Sequence, residues 1–302
     1  MKFEKPYRVL LYYKFIPIQG YALFAQHHYH FCWKLGVRGR ILVSPEGING
    51  TISGTVEQTE CYINTLTMDE RFSDMRFKTD ESDGHVFDKL FVRVKEELVT
   101  FRVGEEGNPL KQTGTYLSPE EWYNTMQRDD VLILDGRTDY EYDLGHFRNA
   151  IRPPVTSFRD FPSWIRDNLS THKDKTILTY CTGGVRCEKL TAYMLSEGFE
   201  HVAQLHGGII TYGKDQHIQG RLWDGKCYVF DQRISVPINH TEEYRPVSTC
   251  IHCGTPCDRY VNCANLDCHR QFFSCESCEQ HHRRSCRVEC QSAPRHELPM
   301  GN

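Results

Sequence analysis

The stretch "TYCTGGVRCEKLTAYMLSEGF", residues 179–199, decides how this chain is read. It continues the apolar run "TIL" and ends in an amphipathic segment closed by Gly198. That pattern predicts a buried strand, a tight turn opened by Cys181, and a helix. Gly183 and Gly184 let the backbone curl until successive N–H groups converge on one anion. A thiol at 181 faces the positive end of the following helix, and Arg186 adds a cation nearby. Both favour thiolate over thiol, the form a nucleophilic cysteine needs. A phosphate cradle and a sulfur carrier both fit. A plain turn beside a buried cysteine fits poorly, because strand, cysteine, glycine pair, arginine and helix all agree.

Working outward, "VLILD" (131–135) and "HVAQL" (201–205) are two more buried-type strands. "LSPEEWYNTM" opens a helix, with Ser118 and Glu121 as a capping box and Pro119 at the first helical position. Strands alternating with helices indicate an α/β unit with a parallel sheet, whose sites gather beyond the carboxyl ends of the strands. Before it, "YRVLLYYKFI", "GRILVS", "GTISGT" and "MRFKTDES" read as strands around two helical stretches, which is the split βαβ order of a ferredoxin-like α+β domain. "PEGIN" is the hairpin turn between the second and third of these strands. "FDKLFVRVKEELVTF" adds one or two strands before a linker at "GEEGNP". The expected units are 1–105, 119–225 and 246–294.

Composition narrows the class. The chain has 302 residues, 39% hydrophobic and 25% charged, which describes an ordinary globular protein of two domains and an appendage. A net charge of -4 gives no global pull toward nucleic acid, so RNA binding needs a local patch. The N-terminus lacks a signal-peptide core, and no run approaches a membrane span. A cytoplasmic protein without membrane contact is expected. "RVLLYYKF" and "KLFVRVK" interleave basic and aromatic residues as RNA-binding sheets do, although half-buried strands do so too. His27 and His30 are spaced for a metal but lack a paired carboxylate, and a surface face is preferred for them. No nicotinamide or flavin site and no two-His-one-carboxylate iron site is evident.

Of the 14 cysteines, nine lie between Cys250 and Cys290. Two CxxC pairs in a reducing compartment suit thiolate ligation of zinc, four ligands to a site. A cross-braced arrangement joins Cys250, Cys253, Cys275 and Cys278 in one site and Cys263, Cys268, Cys286 and Cys290 in the other. A sequential pairing is nearly as good, Cys257 is a spare, and His252, His269, His281 and His282 are further candidates. Such ligands are expected to be structural, because so short a segment buries too little apolar area to fold unaided.

"LILDGRTDYEYDLGHFRNAIRPP", "TYCTGGVRCEKLTAYMLSEGF" and "VAQLHGGIITYG" together resemble the rhodanese superfamily over about residues 119–225. The likeness runs through Asp135 and Arg137, then Glu141, Gly145 and His146, then Gly207 and Gly208. It implies a persulfide-bearing cysteine at 181, with backbone amides holding the charged sulfur. From Cys181 to Arg186 the loop has six residues, the size of sulfur-handling members. Related phosphatases use one residue more.

The flanks, "RILVSPEGINGTISG" and "DRYVNCANLDCHRQFFSCESC", resemble one bacterial branch, the oxygen-dependent tRNA uridine hydroxylases. That resemblance implies an acylphosphatase-like N-terminal domain, tRNA as partner, molecular oxygen as cosubstrate, and conversion of the wobble uridine to 5-hydroxyuridine. Cys181 and Arg186 are the expected catalytic pair, with Thr182, Gly183, Gly184 and Val185 as the amide cradle. Asp135 and Arg137 are a supporting pair. Cys187 either resolves an oxidised Cys181 or fills the first helical turn, the second being preferred. The donor of sulfur or electrons is left open. A persulfide-carrying sulfurtransferase and a zinc-stabilised RNA-binding adaptor are the alternatives.

Overall fold

In the computed structural model, which describes residues 4–298, the N-terminal unit follows the split βαβ order. Strand β1 (Tyr7–Phe15) leads to α1 (Tyr21–Leu35), which ends at Gly36 in the left-handed conformation. There the Gly36 N–H caps the carbonyls of Cys32 and Trp33. Strands β2 (Arg38–Ser44) and β3 (Gly47–Thr55) form the expected hairpin. Helix α2 (Val56–Thr67) starts with a Thr55/Gln58 capping box, and β4 (Lys78–Ser82) and β5 (Leu90–Val94) follow. The sheet order is β4-β1-β3-β2-β5. Each neighbouring pair among β4, β1, β3 and β2 is antiparallel, while β5 adds an edge strand parallel to β2.

Strand alternation gives this sheet two working faces. Leu10, Tyr12, Ile41, Val43, Ile48 and Ile52 join the core beneath the two helices. Val9, Leu11 and Tyr13 point the other way, toward the middle unit. Ion pairs tie the two units: Lys189 reaches both Glu46 (2.9 Å) and Glu97 (2.8 Å), and Arg233 reaches Asp80 (2.9 Å).

The middle unit runs β6 (Thr115–Leu117), α3 (Pro119–Thr125), β7 (Val131–Asp135), α4 (Asp139–Leu144) and β8 (Gly145–Phe147). It continues with α5 (Phe161–Leu169), β9 (Thr176–Tyr180), α6 (Val185–Ser196), β10 (His201–Leu205) and α7 (Gly208–Lys214). Strands β11 (Trp223–Tyr228) and β12 (Ser235–Pro237) close it. The main sheet, β6-β10-β9-β7, is parallel throughout. One core holds Trp122, Phe147, Tyr180 and Trp223, and another holds Phe101, Phe161, Ile165 and Leu190. A second small sheet, β12-β11-β8, was not foreseen. Its strands of three to six residues carry too little periodicity to be seen in sequence.

The tail has a two-stranded ladder, β13 (Tyr260–Asn262) with β14 (Gln271–Phe273), and two short helices, α8 (Glu276–His281) and α9 (Val288–Gln291). Its apolar cluster amounts to Val261 and Phe272 packed among cysteines. No helix among the described residues is long and apolar enough to cross a membrane.

Candidate active site

Cys181 leaves the carboxyl end of β9 and is 1% exposed. The Gly184 N–H donates to its sulfur at 3.2 Å. Gly184 caps α6 with φ 103°, a conformation side-chain residues rarely adopt. The helix therefore begins at Val185. Burial works against ionisation of the Cys181 thiol. The Cys187 thiol, the Arg186 charge and the N–H groups of Cys187 and Arg186 outweigh it and hold the pKa down to about 5. The amides that reach the sulfur are thus those of Gly184, Arg186 and Cys187. Thr182 instead turns its hydroxyl toward Arg186 (3.4 Å) and the Cys227 thiol (3.9 Å). Cys187 is fully buried, and its own ionisation is pushed well up by burial and by Cys181.

The loop is clamped from two sides. In the first turn of α7 the N–H groups of Ile209 and Ile210 donate to the carbonyls of Cys181 (3.0 Å) and Thr182 (3.2 Å). A Cβ on Gly208 would sit 2.5 Å from the Cys181 carbonyl oxygen, so Gly208 is a packing requirement of the loop, whereas one on Gly207 would meet the Thr211 side chain of α7. From the other side β1 descends. A Cβ on Gly183 would meet Leu11 at 3.0 Å, and one on Gly184 would meet the Tyr13 hydroxyl at 2.8 Å.

Arg186 is aimed by Glu141, with bidentate contacts of 2.7 and 2.8 Å to a fully buried carboxylate. Thr138 holds that carboxylate in turn, through its hydroxyl (2.8 Å) and its N–H (3.2 Å). The Arg186 charge near Cys181 is therefore fixed in place by Glu141. Asp135 and Arg137 form a second buried pair at 2.7 Å, joined by the Tyr180 hydroxyl and the Gly145 carbonyl. This pair binds β7, β9 and β8 together and stands behind the loop. His146 lies on β8, stacked on Tyr142.

Above the sulfur lies a cavity of about 360 Å³. Its floor is the Cys181 loop, and its roof is the N-terminal sheet, with Leu11, Tyr13, Arg40, Asn49, Thr51 and Lys78. Phe230, half exposed, flanks its rim. Burial lowers the Lys78 ammonium to about 8. The sequence reading did not find this roof. The Thr138-x-x-Glu141 spacing signals a capping box, and strand alternation marks residues 11 and 13, but nothing local says that the two units face each other. Of the two readings of "RVLLYYKF", the half-buried strand fits β1. In β1, Arg8 pairs with Glu60, Tyr12 is in the core and Tyr13 donates to Glu188 (2.9 Å). β5, by contrast, shows basic and aromatic groups outward, where Arg93 covers the Phe91 ring.

The tail thiols form two quartets, Cys250, Cys253, Cys275 and Cys278, then Cys263, Cys268, Cys286 and Cys290, each with all sulfurs within 4.8 Å of one another. This is the cross-braced arrangement. Measured separations are 3.7 Å for Cys253–Cys275, 3.6 Å for Cys268–Cys286 and 4.0 Å for Cys286–Cys290. Tetrahedral ligation with metal–sulfur bonds of about 2.3 Å puts sulfurs about 3.8 Å apart, so both quartets fit a metal ion. Cys257 belongs to neither and accepts from the Arg259 N–H. No histidine joins either quartet, and His27 and His30 are exposed on α1.

Comparison with known proteins accords with this three-part build. Residues 7–98 match the UPF0176 acylphosphatase like domain, 118–214 the rhodanese-like domain and 224–291 the rhodanase C-terminal family. Among solved structures, a rhodanese-like domain from Anabaena is similar over 37% of this chain and 80% of its own, at 23% identity and a TM-score of 0.31. Curated relatives named tRNA uridine(34) hydroxylase come from Bacillus licheniformis (55% identical, 97% of this chain and 90% of the relative) and Bacillus pumilus (53%, with the same coverage). Another is from Oceanobacillus iheyensis (50%, 98% of this chain and 91% of the relative). With identity at this level running nearly end to end in both partners, the chain belongs to the tRNA uridine(34) hydroxylase family.

Proposed function

We propose that this chain is a cytoplasmic enzyme that hydroxylates C5 of the wobble uridine in tRNA with molecular oxygen, and that Cys181 is the thiol the reaction requires. The observation that carries this reading is the Cys181 sulfur, which accepts from the Gly184 N–H, has Arg186 beside it favouring the thiolate, and lines a cavity. In the overall reaction the C5–H becomes C5–OH and the second oxygen atom leaves as water. Two electrons and two protons must come from a donor outside the chain. A uridine inside an anticodon loop reaches the buried sulfur only by leaving its stack, as bases do in other base-modifying enzymes.

The chain's own residues have separable tasks in this scheme. The amides of Gly184, Arg186 and Cys187 hold negative charge on sulfur, whether as thiolate, persulfide or oxidised sulfur. Glu141 orients Arg186. The Asp135–Arg137 pair keeps the strand ends in register behind the loop. Zinc in the two thiol quartets would supply folding energy to the tail and no redox chemistry.

The test is genetic and analytical. A deletion strain is complemented with wild type or with Cys181→Ser, and tRNA nucleosides are measured by mass spectrometry. Loss of 5-hydroxyuridine on deletion, restored by wild type and not by Cys181→Ser, is expected. Unchanged 5-hydroxyuridine in the deletion strain defeats the hydroxylase reading. The six-residue loop keeps a sulfurtransferase as the second reading, and a change in thiolated nucleosides would select it.

A further inference from the structure

Three polar side chains in the cavity roof have no polar partner among the described residues. Arg40 on β2, with Asn49 and Thr51 on β3, faces the space above Cys181, and none of these side chains makes a hydrogen bond or ion pair among the described residues. Their direction is set by register. Their neighbours Ile41, Ile48 and Ile52 enter the helix-covered core, so residues 40, 49 and 51 point to the opposite face. Thr51 pairs with Arg40 on one side and Leu11 on the other, and Leu11 pairs with Lys78. One row thus crosses four strands with a cation at each end. Lys78, at the inner end, makes no ion pair among the described residues and rests over the Tyr13 ring at 5.1 Å.

Polar groups turned into a pocket without protein partners are groups set for a ligand. The volume of about 360 Å³ lies in the range of small-ligand sites. Resting on the reading under Proposed function, we propose that Asn49, Thr51, Lys78 and Arg40 recognise the uridine nucleotide presented to Cys181. The Asn49 amide sets a donor beside an acceptor, which matches the N3–H and carbonyl edge of uracil, and Thr51 adds a hydroxyl to the same edge. Lys78 offers donors only, so it donates to a ring carbonyl at O4 and disfavours the amino group that cytosine carries there. Arg40, exposed at the outer end, takes the neighbouring phosphate.

The experiment uses the full, metal-loaded chain and follows alkylation of Cys181 by iodoacetamide. The probes are anticodon stem-loop RNAs with uridine, cytidine or no base at the wobble position. Each rate is divided by the same protein's RNA-free rate, so changes in loop reactivity cancel. The uridine RNA is expected to protect wild type about tenfold better than the other two, the size of one good base-edge contact. Asn49→Ala and Lys78→Met should bring the uridine-to-cytidine ratio close to one. Thr51→Val, which keeps the volume, should reduce it about threefold. Arg40→Ala should weaken protection by all three RNAs alike, as a phosphate contact does. Protection that ignores the wobble base in wild type, or survives unchanged in Asn49→Ala and Lys78→Met, overturns the assignment. The two readings fail separately. Normal 5-hydroxyuridine in Cys181→Ser cells defeats the functional reading. Loss there, with wild-type levels in Asn49→Ala and Lys78→Met cells, defeats only the roof.

Discussion

Cys181 and the eight clustered cysteines of the tail carry the same atom in opposite settings. At 181 one buried sulfur meets backbone N–H groups, a neighbouring thiol and a guanidinium, all of which favour negative charge on it. In the tail four sulfurs meet one another, with all separations within 4.8 Å. Two thiolates 4 Å apart repel by about 4 kcal/mol at an effective dielectric of 20, so a quartet of thiolates needs a cation at its centre. The middle unit stabilises charge with a prebuilt fold, whereas the tail uses charge to build its fold. A cysteine's chemistry is therefore read from what converges on its sulfur, not from the residue type.

The most severe way to break this contrast is metal removal. Zinc analysis should give two ions per chain, one for each quartet. Chelation should remove stabilisation on the order of 10 kcal/mol per site, and limited proteolysis should digest the tail while the middle unit persists. Cys275→Ser should lose one of the two ions, and Cys257→Ser neither. Next in size is Cys181→Ser, which should lower 5-hydroxyuridine formation by about 10³-fold or more while both ions stay bound. Glu141→Gln leaves the buried Arg186 without its charge partner. A loss of about 3–5 kcal/mol is expected, read from the urea midpoint.

Smaller effects sharpen the picture of the loop. Gly184→Ala forces a side chain into a left-handed conformation against the Tyr13 hydroxyl and should cost about 1–3 kcal/mol. The double variant with Tyr13→Phe should recover part of that, because the clashing oxygen is gone. The mildest probe is pH. An acid whose pKa is depressed to about 5 is charged above that value, so Cys181 alkylation should stay flat from pH 8 to pH 6 and fall as pH drops through about 5. A midpoint near the ordinary thiol value of about 8.5 would show that the loop does not hold the thiolate.

Much of this was legible in one dimension, for physical reasons. Strand periodicity, capping boxes and glycine stops are local, and they located β1 to β5, β7, β9, β10 and the helices α1, α2, α3 and α6. The cysteine loop was legible because strand, turn and helix are contiguous in the chain, and the thiol quartets because CxxC spacing sets ligand geometry within a single turn. Even so, cross-braced and sequential pairings differ only in which distant segments meet, and folding selected the first. The short strands β8, β11 and β12 escaped because three to six residues hold no usable period. The roof escaped for a deeper reason. Residues 40, 49, 51 and 78 lie more than a hundred positions from Cys181, and the sheet face that bears them is set against the loop by packing and by ion pairs between units, such as Lys189 with Glu46 and Arg233 with Asp80. The setting of the sulfur is legible along the chain because the strand, the glycine turn and the helix that build it are contiguous. What stands above it came from folding, because docking of two faces depends on side chains that no local pattern connects.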